Sequence, residues 1–301
     1  MTPWLTLIGL LTACTASKEV ADTAEEVEEI EETEETEESQ TVLDLEPGVN
    51  EITVEQEVEG EIVERNFLVH VSRDFDGTGS TPLLFGFHGA GGFGALFIEQ
   101  YAGAIEGGDF IGVYPDGLAN SWNIGREDSK ADDVEFVHMM IDLLDNTPGV
   151  DISNPVATGF SNGAALTHKL GIETNLFAAI VPQVSQLLHE NQPQPDGAPV
   201  SVMQFMGTED NACPYDGGVG VLGHDFMPAE ESAAVWAAHN ECDETPTSVD
   251  VGDHVKMEWE NCANGRRVIH YRLNGMGHEV PPDVDGGTNA KIVEFLLEAR
   301  Q

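Results

Sequence analysis

Six short, mostly apolar segments, each followed by a polar or glycine-containing stretch, constrain the fold of this chain more than any other feature. An uninterrupted apolar run of this length is typical of a strand that is buried on both faces of a parallel sheet. The segments are residues 82–87, 110–114, 155–158, 177–181, 200–205 and 268–273. Parallel neighbours need long crossover connections, so we expect helices between them.

Helical spacing occurs in the intervening segments. Residues 132–145 carry apolar side chains three or four apart, and residues 164–170, 232–239 and 289–300 are also predicted helices. Residues 50–73 instead alternate as β-strands do, which predicts an opening antiparallel pair. Strands that alternate with helices predict an α/β fold with a mostly parallel central sheet and helices on both faces.

Charge excludes two classes of partner. The 301 residues include 55 Asp and Glu against 12 Lys and Arg, for a net charge of -43, while a hydrophobic content of 41% supports a substantial core. Nucleic-acid backbones and anionic lipid surfaces both attract clusters of basic residues. We therefore expect no nucleic-acid partner and no adsorption to a lipid surface. No apolar run reaches 18 residues, so no membrane-spanning helix is predicted.

Residues 1–14 have the features of an export signal. A short apolar run, Trp4 to Leu11, leads into small residues before Cys14. The tetrad Leu11-Thr12-Ala13-Cys14 resembles the lipobox of bacterial lipoproteins, although no Lys or Arg precedes the apolar run. We predict a lipoprotein-type signal peptide, with Cys14 lipidated and the lipid as the only membrane anchor. The alternatives are an ordinary cleaved signal with Cys14 incidental, or a translation start upstream.

Residues 15–40 are predicted to be an acidic, disordered tether. Glu19 to Glu38 contains 12 acids and no base. Such a segment cannot bury enough apolar surface to fold, and its like charges extend the chain. A solvated helix is the alternative, which the repulsion between acids four residues apart opposes. Residues 41–301 then form the folded domain.

The pentad Gly159-Phe160-Ser161-Asn162-Gly163 lies between a predicted strand and a predicted helix. A serine on such a sharp turn needs glycine two residues before and two residues after it, because side chains there would collide. The turn presents the serine oxygen at the end of the strand, next to a helix N-terminus that favours negative charge. Alone, the pentad is a weak signal, because short glycine-rich motifs recur by chance.

A second turn, His88-Gly89-Ala90-Gly91-Gly92, follows the strand 83–87. A glycine-rich loop after an early strand suits the other half of an oxyanion hole, in which a backbone N–H faces the reacting carbonyl. The alternative is a glycine-rich turn that only eases packing. A phosphate-binding P-loop is excluded, because no Gly-Lys-Ser/Thr follows.

Asp210 and His278 each follow a predicted strand. A hydrolytic serine needs a base to take its proton and a carboxylate to orient that base. The chain order Ser161, Asp210, His278 is the order of an α/β-hydrolase triad. A single histidine is more often structural, but these turns occur jointly and in the expected order.

Together these motifs resemble the α/β-hydrolase esterase family that contains feruloyl esterases and extracellular polyhydroxybutyrate depolymerases. The resemblance covers nearly all of residues 60–300 and is carried by FHGAGG at 87–92, YPDG at 114–117, SWNIG at 121–125, DDVEF at 132–136, TGFSNGA at 158–164, GTEDNACPYDGG at 207–218 and NGMGHEVP at 274–281.

The resemblance implies an α/β-hydrolase fold and a role for each matched residue. Ser161 would be the nucleophile, His278 the general base and then acid, and Asp210 the carboxylate that orients it. The backbone N–H groups of Asn162 and Ala90 would bind the oxyanion. Three positions depart from the usual pattern of the family, namely Ala164, Met206 and Val280, and the last of these puts the usual substrate preference in doubt.

Trp122 and Asn123 either line the acyl pocket or buttress the loop 121–125. Trp122 is therefore a candidate substrate-binding residue. Asp132 and Asp133 are predicted to cap a helix rather than to bind a metal. His278-Glu279 and His189-Glu190 do not extend to HExxH, so a zinc peptidase has no support. We predict no metal and no cofactor.

The family resemblance further implies a disulfide between Cys242 and Cys262, which an exported protein can form. Cys213 is then left over, three residues after Asp210. We interpret it as a small buried apolar side chain, because no base is placed to activate its thiol.

These observations favour an exported serine ester hydrolase that works through an acyl-enzyme, and we expect it to be a monomer. Its expected substrates are polyhydroxyalkanoate-type oligoesters or feruloyl and acetyl esters of plant polysaccharide, and its expected location is extracellular or on the cell envelope. The alternative is a non-catalytic surface binding protein built on a hydrolase fold.

Overall fold

The computed structural model describes residues 42–300. The predicted signal peptide, the tether and Cys14 lie outside the described residues. The strands are β1 (Gly48–Val58), β2 (Glu61–Val71), β3 (Thr81–Phe87), β4 (Ile111–Pro115), β5 (Val150–Phe160), β6 (Ala179–Gln183), β7 (Ser201–Gly207), β8 (Gly218–Val219), β9 (Asp225–Phe226), β10 (Thr247–Val251), β11 (His254–Trp259) and β12 (Val268–Leu273). The α-helices are α1 (Leu96–Glu106), α2 (Asp133–Leu144), α3 (Asn162–Glu173), α4 (Ala229–His239) and α5 (Thr288–Glu298).

Ten of these strands form one sheet, in the order β1-β2-β4-β3-β5-β6-β7-β12-β11-β10. The six central strands from β4 to β12 run parallel, whereas the pairs at both edges are antiparallel. This confirms the predicted α/β class, the mostly parallel sheet and the opening antiparallel pair, which is β1 with β2.

Hydrophobic clusters cover both faces of the sheet. Within β3, Phe85 belongs to a cluster that includes residues of α2, α3 and α4. The adjacent Leu84 belongs to a second cluster, with residues of α1 and α5. Neighbouring residues of a strand point to opposite faces, so the helices lie on both sides. Each fully buried side chain of this size contributes roughly 1.5–3 kcal/mol, which explains why continuous apolar runs mark the central strands.

The helix-capping prediction is confirmed for Asp132 but not for Asp133. Asp132 precedes α2, and its carboxylate accepts hydrogen bonds from the N–H groups of Val134 and Glu135, at 3.1 and 3.0 Å. Asp133 has a different role, because it forms a fully buried ion pair with Arg65 of β2, at 2.8 Å. That pair was not predicted from the sequence.

The disulfide between Cys242 and Cys262 is present and joins the segment after α4 to the segment after β11. The sequence analysis missed α1, the short β8–β9 pair and the β10–β11 hairpin. β10 reads TSVDV and is almost wholly exposed, so it lacks the apolar run that marks the central strands. Among residues 42–300, no helix is long and apolar enough to cross a lipid bilayer.

Candidate active site

Ser161 stands on a strained turn between β5 and α3. Its φ of 56° and ψ of -116° are unusual for a residue with a side chain. The flanking glycines allow the close approach that this turn needs. A Cβ at Gly159 would lie 2.2 Å from the Gly163 carbonyl oxygen, and one at Gly163 would lie 2.0 Å from the Phe87 carbonyl oxygen. No other residue fits at either position without a shift of backbone.

His278 and Asp210 lie next to Ser161 in a continuous hydrogen-bonded chain. The distance from Ser161 Oγ to His278 Nε2 is 2.7 Å, and that from His278 Nδ1 to Asp210 Oδ2 is also 2.7 Å. The Asp210 side chain is fully buried, and its other oxygen accepts the N–H groups of Ala212 and Cys213 at 2.8 and 2.9 Å. The carboxylate is therefore held in one orientation, facing the imidazole.

Backbone contacts bring the Asp210 and His278 turns together. The Glu209 N–H donates to the Met276 carbonyl at 2.8 Å. A Cβ at Gly207 would lie 2.2 Å from the Gly277 carbonyl oxygen, so only glycine permits this packing. The two turns are far apart in sequence, but β7 and β12 are parallel neighbours and therefore end at the same edge of the sheet.

The N–H groups of Ala90 and Asn162 are the candidate oxyanion donors. Both residues line the same cavity as Ser161. Neither N–H donates to an acceptor among residues 42–300, although the next N–H along the loop, that of Gly91, donates to Asn120 O at 2.7 Å. Asn162 is also the first residue of α3, where an N–H has no partner within the helix.

His88 holds the Ala90 loop in place. Burial lowers the pKa of His88, which favours the neutral ring. Its Nε2 accepts the Gly117 N–H at 3.0 Å, so Nδ1 carries the proton and faces the Gly89 carbonyl at 2.8 Å. This imidazole is structural.

The structure corrects the prediction that Trp122 binds substrate. Trp122 is completely buried, and its ring packs edge-on against Phe87. Its indole N–H donates to the His88 carbonyl at 2.8 Å, and its backbone N–H donates to the Asn162 side chain at 2.7 Å. Trp122 therefore buttresses the loops on either side of Ser161, which is the alternative that the sequence left open.

A cavity of about 230 Å³ opens beside Ser161. Its apolar walls include Ile124, Leu188, Val221, Leu222 and Phe226. The wall also contains polar side chains, among them Arg126, Glu127, Asp128 and His224. The sequence analysis did not identify Glu127 and His224, because neither belongs to a recognisable motif.

Cys213 also lines this cavity and is buried, as predicted. Burial, together with the nearby Asp210 charge, raises the pKa of its thiol to about 12. The thiol is therefore protonated at neutral pH and is a poor nucleophile. Among the residues that the structure describes, no group of three or more His, Cys, Asp or Glu could hold a metal ion.

The mostly parallel sheet, the serine on its strand-to-helix turn and the Ser–His–Asp hydrogen-bonded chain define the α/β-hydrolase class of fold. An acetyl xylan esterase from Aspergillus awamori has the same fold, with a TM-score of 0.57 and 16% sequence identity over 78% of this chain and 94% of that one.

Curated relatives define the family more closely. Feruloyl esterase B of Piromyces equi is 30% identical over 231 residues, which are 71% of this chain and 42% of the relative. The putative esterase NocK of Nocardia uniformis subsp. tsuyamanensis is 27% identical over 257 residues, which are 72% of this chain and 74% of the relative. No family model matches the chain. The chain belongs to the α/β-hydrolase esterase family, and it spans less than half the length of the Piromyces relative.

Proposed function

We propose that this protein is a serine carboxylic-ester hydrolase that works through an acyl-enzyme. One observation carries the proposal: Ser161, His278 and Asp210 form an unbroken chain of 2.7 Å hydrogen bonds beside two backbone N–H groups that have no acceptor among residues 42–300. Nucleophile, base and oxyanion donors are the groups that acyl transfer from an ester requires.

The proposed reaction assigns a role to each of these groups. His278 Nε2 takes the proton of Ser161 Oγ as this oxygen attacks the ester carbonyl carbon. The carbonyl oxygen becomes an oxyanion and accepts the N–H groups of Ala90 and Asn162. The C–O bond to the alcohol breaks, and His278 gives its proton to the leaving oxygen. Water, deprotonated by His278, then cleaves the acyl-enzyme and regenerates Ser161.

Asp210 does not exchange a proton in this scheme. Its buried carboxylate keeps the His278 proton on Nδ1, so that Nε2 faces Ser161 as the base, and it stabilises the imidazolium that forms. The strained backbone of Ser161 fixes Oγ at the edge of the sheet, where it faces His278 Nε2.

Feruloyl esters are the substrates that we favour, since a feruloyl esterase is among the relatives of this chain. Acetyl esters of plant polysaccharide and polyhydroxyalkanoate-type oligoesters complete the proposed range. We further propose that the enzyme is exported, is monomeric, and is either secreted or anchored to the cell envelope through a lipid on Cys14.

Replacing Ser161 by Ala tests the mechanism. We expect kcat for p-nitrophenyl acetate to fall by about 10⁶-fold, as in other serine triads. Ser153→Ala, which removes an exposed hydroxyl remote from the cavity, is the matched control and should retain activity. Hydrolysis by Ser161→Ala at the wild-type rate would refute the role of Ser161. A wild-type chain that does not react with a fluorophosphonate probe would instead support a non-catalytic binding protein.

A substrate panel tests the preferred ester. Methyl ferulate, acetylated xylan and hydroxybutyrate oligomers can be compared with the wild-type enzyme, with products identified by mass spectrometry. We expect the highest kcat/KM with methyl ferulate. A higher value with either of the other substrates would change the proposed substrate class without affecting the mechanism.

A further inference from the structure

A second cavity, of about 140 Å³, lies on the other side of the Ser161 turn. We call it the α1 cavity, because Leu96 and Phe97 of α1 form its apolar walls together with Phe160. The cavity of about 230 Å³ described above is lined by residues of α3, and we call it the α3 cavity. Helices α1 and α3 pack against opposite faces of the sheet. The nucleophile turn therefore lies between the two cavities.

Consecutive residues of the two turns line the two cavities. Gly89 lines the α1 cavity and Ala90 the α3 cavity, just as Phe160 lines the first and Ser161 the second. A Cβ at Gly89 would lie 3.2 Å from the Phe160 ring and 3.4 Å from the Cβ of Ser161. The Ser161 N–H donates to the carbonyl of Gln183, a further wall of the α1 cavity, at 2.9 Å. The α1 cavity is therefore in direct contact with the nucleophile turn.

The proposed reaction directs the two parts of the ester to different sides. The carbon under attack carries Ser161 Oγ, the oxyanion, the acyl chain and the alcohol oxygen. The oxyanion faces the N–H groups of Ala90 and Asn162, and the alcohol oxygen must face His278 Nε2, which protonates it. The His278 ring packs edge-on against the Phe160 ring, with their centres 5.7 Å apart. The alcohol therefore faces the α1 cavity, and the acyl chain faces the α3 cavity.

The polar side chains around the α1 cavity already have partners. Both ring nitrogens of His88 face backbone groups, as described above. Gln183 Nε2 donates to Thr158 Oγ1 at 2.9 Å, and Gln100 Nε2 donates to the Tyr101 hydroxyl at 3.3 Å. A group rich in hydroxyls would lose water here and gain few hydrogen bonds in return. An alkyl or aryl group would instead gain from burial.

We propose that the α1 cavity is the alcohol subsite of this enzyme and takes a short alkyl chain or a single aromatic ring. Leu96 forms its rim, since this side chain lines the cavity and is 56% exposed. The inference rests on the proposed ester hydrolysis and narrows it on the alcohol side, which the choice between acyl groups leaves open.

Two isomeric esters test the inference. Each has three methylenes more than methyl acetate: n-butyl acetate in its alcohol part, and methyl pentanoate in its acyl part. The alcohol ratio is kcat/KM for n-butyl acetate divided by kcat/KM for methyl acetate, and the acyl ratio is the same quotient for methyl pentanoate. Each methylene that becomes fully buried raises kcat/KM by about fourfold, so we expect a wild-type alcohol ratio of about tenfold or more in this partly open cavity.

Leu96→Asp places a carboxylate at the rim of the α1 cavity, at an exposed position that tolerates a polar side chain. A carboxylate loses water when an alkyl chain is buried beside it. The alcohol ratio should therefore fall by about fourfold or more, which is the contribution of one methylene. The acyl ratio should not change.

Leu222→Asp is the matched variant at the α3 cavity. Leu222 lines that cavity, is 59% exposed and has a φ of 53°, which Asp adopts more readily than most residues do. This variant should lower the acyl ratio and leave the alcohol ratio unchanged. Val249→Asp, on the exposed edge strand β10, is the remote control and should change neither ratio.

Acetyl transfer to added alcohols is a second readout that needs no variant. With p-nitrophenyl acetate as the donor, an alcohol oxygen attacks the acetyl carbon of the acyl-enzyme and its proton passes to His278. The bond to Ser161 Oγ breaks, and Oγ takes that proton. With equal concentrations of methanol and n-butanol, the wild-type enzyme should form about tenfold or more butyl acetate than methyl acetate, measured by gas chromatography.

The outcomes separate the inference from the proposed function. A wild-type alcohol ratio near one, an unchanged alcohol ratio in a folded Leu96→Asp, an equal loss of that ratio in Leu222→Asp, or equal yields of the two acetates would each overturn the inference and leave ester hydrolysis intact. A wild-type chain inert towards these three esters and p-nitrophenyl acetate would overturn the proposed function and the inference together.

Discussion

Replacement of Asp133 by Asn probes how the sheet edge is tied to the loops around Ser161. Asp133 Oδ1 pairs with Arg65 at 2.8 Å, and both side chains are at most 1% exposed. Its other oxygen accepts the Asn123 N–H at 2.7 Å, in the loop that also contains Trp122. The Arg65 guanidinium further lies over the Phe136 ring, 3.9 Å from its centre. One carboxylate thus connects β2, α2 and the loop 121–127.

The size of the effect follows from this burial. Asn keeps the shape of the side chain but removes its charge, so the Arg65 guanidinium stays buried without a charged partner. Breaking a buried pair in this way costs about 3–5 kcal/mol. For a domain of this size each kcal/mol lowers the melting temperature by about 2–4 °C. We therefore expect Asp133→Asn to melt roughly 6–20 °C below the wild type.

Thermal melting followed by circular dichroism measures this directly. The matched control is Glu106→Gln, which removes one member of the exposed Arg73–Glu106 pair and should change stability by less than about 1 kcal/mol. The double variant Arg65→Met with Asp133→Asn should lose less than the sum of the two single variants, because neither charge then stays buried alone. Equal melting of Asp133→Asn and Glu106→Gln would refute the reasoning.

Three further predictions concern the site and the core. Asp210→Asn should lower kcat for p-nitrophenyl acetate by about 10⁴-fold, because the amide no longer keeps the His278 proton on Nδ1; a loss below tenfold would contradict this role. Burial lowers the pKa of His168 from 6.5 to about 4. Between these two pH values the unfolded chain therefore binds more protons than the folded chain. The free energy of unfolding should fall by on the order of 3 kcal/mol as the pH drops from about 6.5 to about 4. Denaturant titrations should show a smaller fall for His168→Gln, and an unchanged pH profile would refute the assignment. The disulfide between Cys242 and Cys262 spans 20 residues. Changing both cysteines to Ser should lower the free energy of unfolding by about 3 kcal/mol. Unchanged denaturation midpoints would contradict that expectation.

The central strands could be predicted because burial on both faces requires a continuous apolar run. β3 and β7 are buried along nearly their whole length, and their sequences show it. β10 could not be predicted in this way, because it lies at the edge of the sheet and its side chains face solvent. The position of β10 in the sheet depends on its pairing with β11. Such pairing produces no hydrophobic periodicity in a short polar segment.

The positions of Ser161, Asp210 and His278 at the ends of strands were expected from their turns, since each turn carries its own local signature. Trp122 illustrates the opposite case. An aromatic residue in a loop near the site fits a pocket wall or a buttress equally well, and only its neighbours decide between them. Trp122 is a buttress, because it is completely buried against Phe87 and donates a hydrogen bond to the His88 carbonyl.

The sequence alone determined the α/β class, the central strands and the three residues of the hydrogen-bonded chain, because hydrophobic period and glycine-dependent turns are local properties. Tertiary structure alone decided which side chains share the cavity. Glu127 and His224 are 97 residues apart and meet at 2.9 Å, and Arg65 finds Asp133 across 68 residues. Such contacts depend on how loops and strands pack in three dimensions. No local pattern in the chain shows which distant residues will meet.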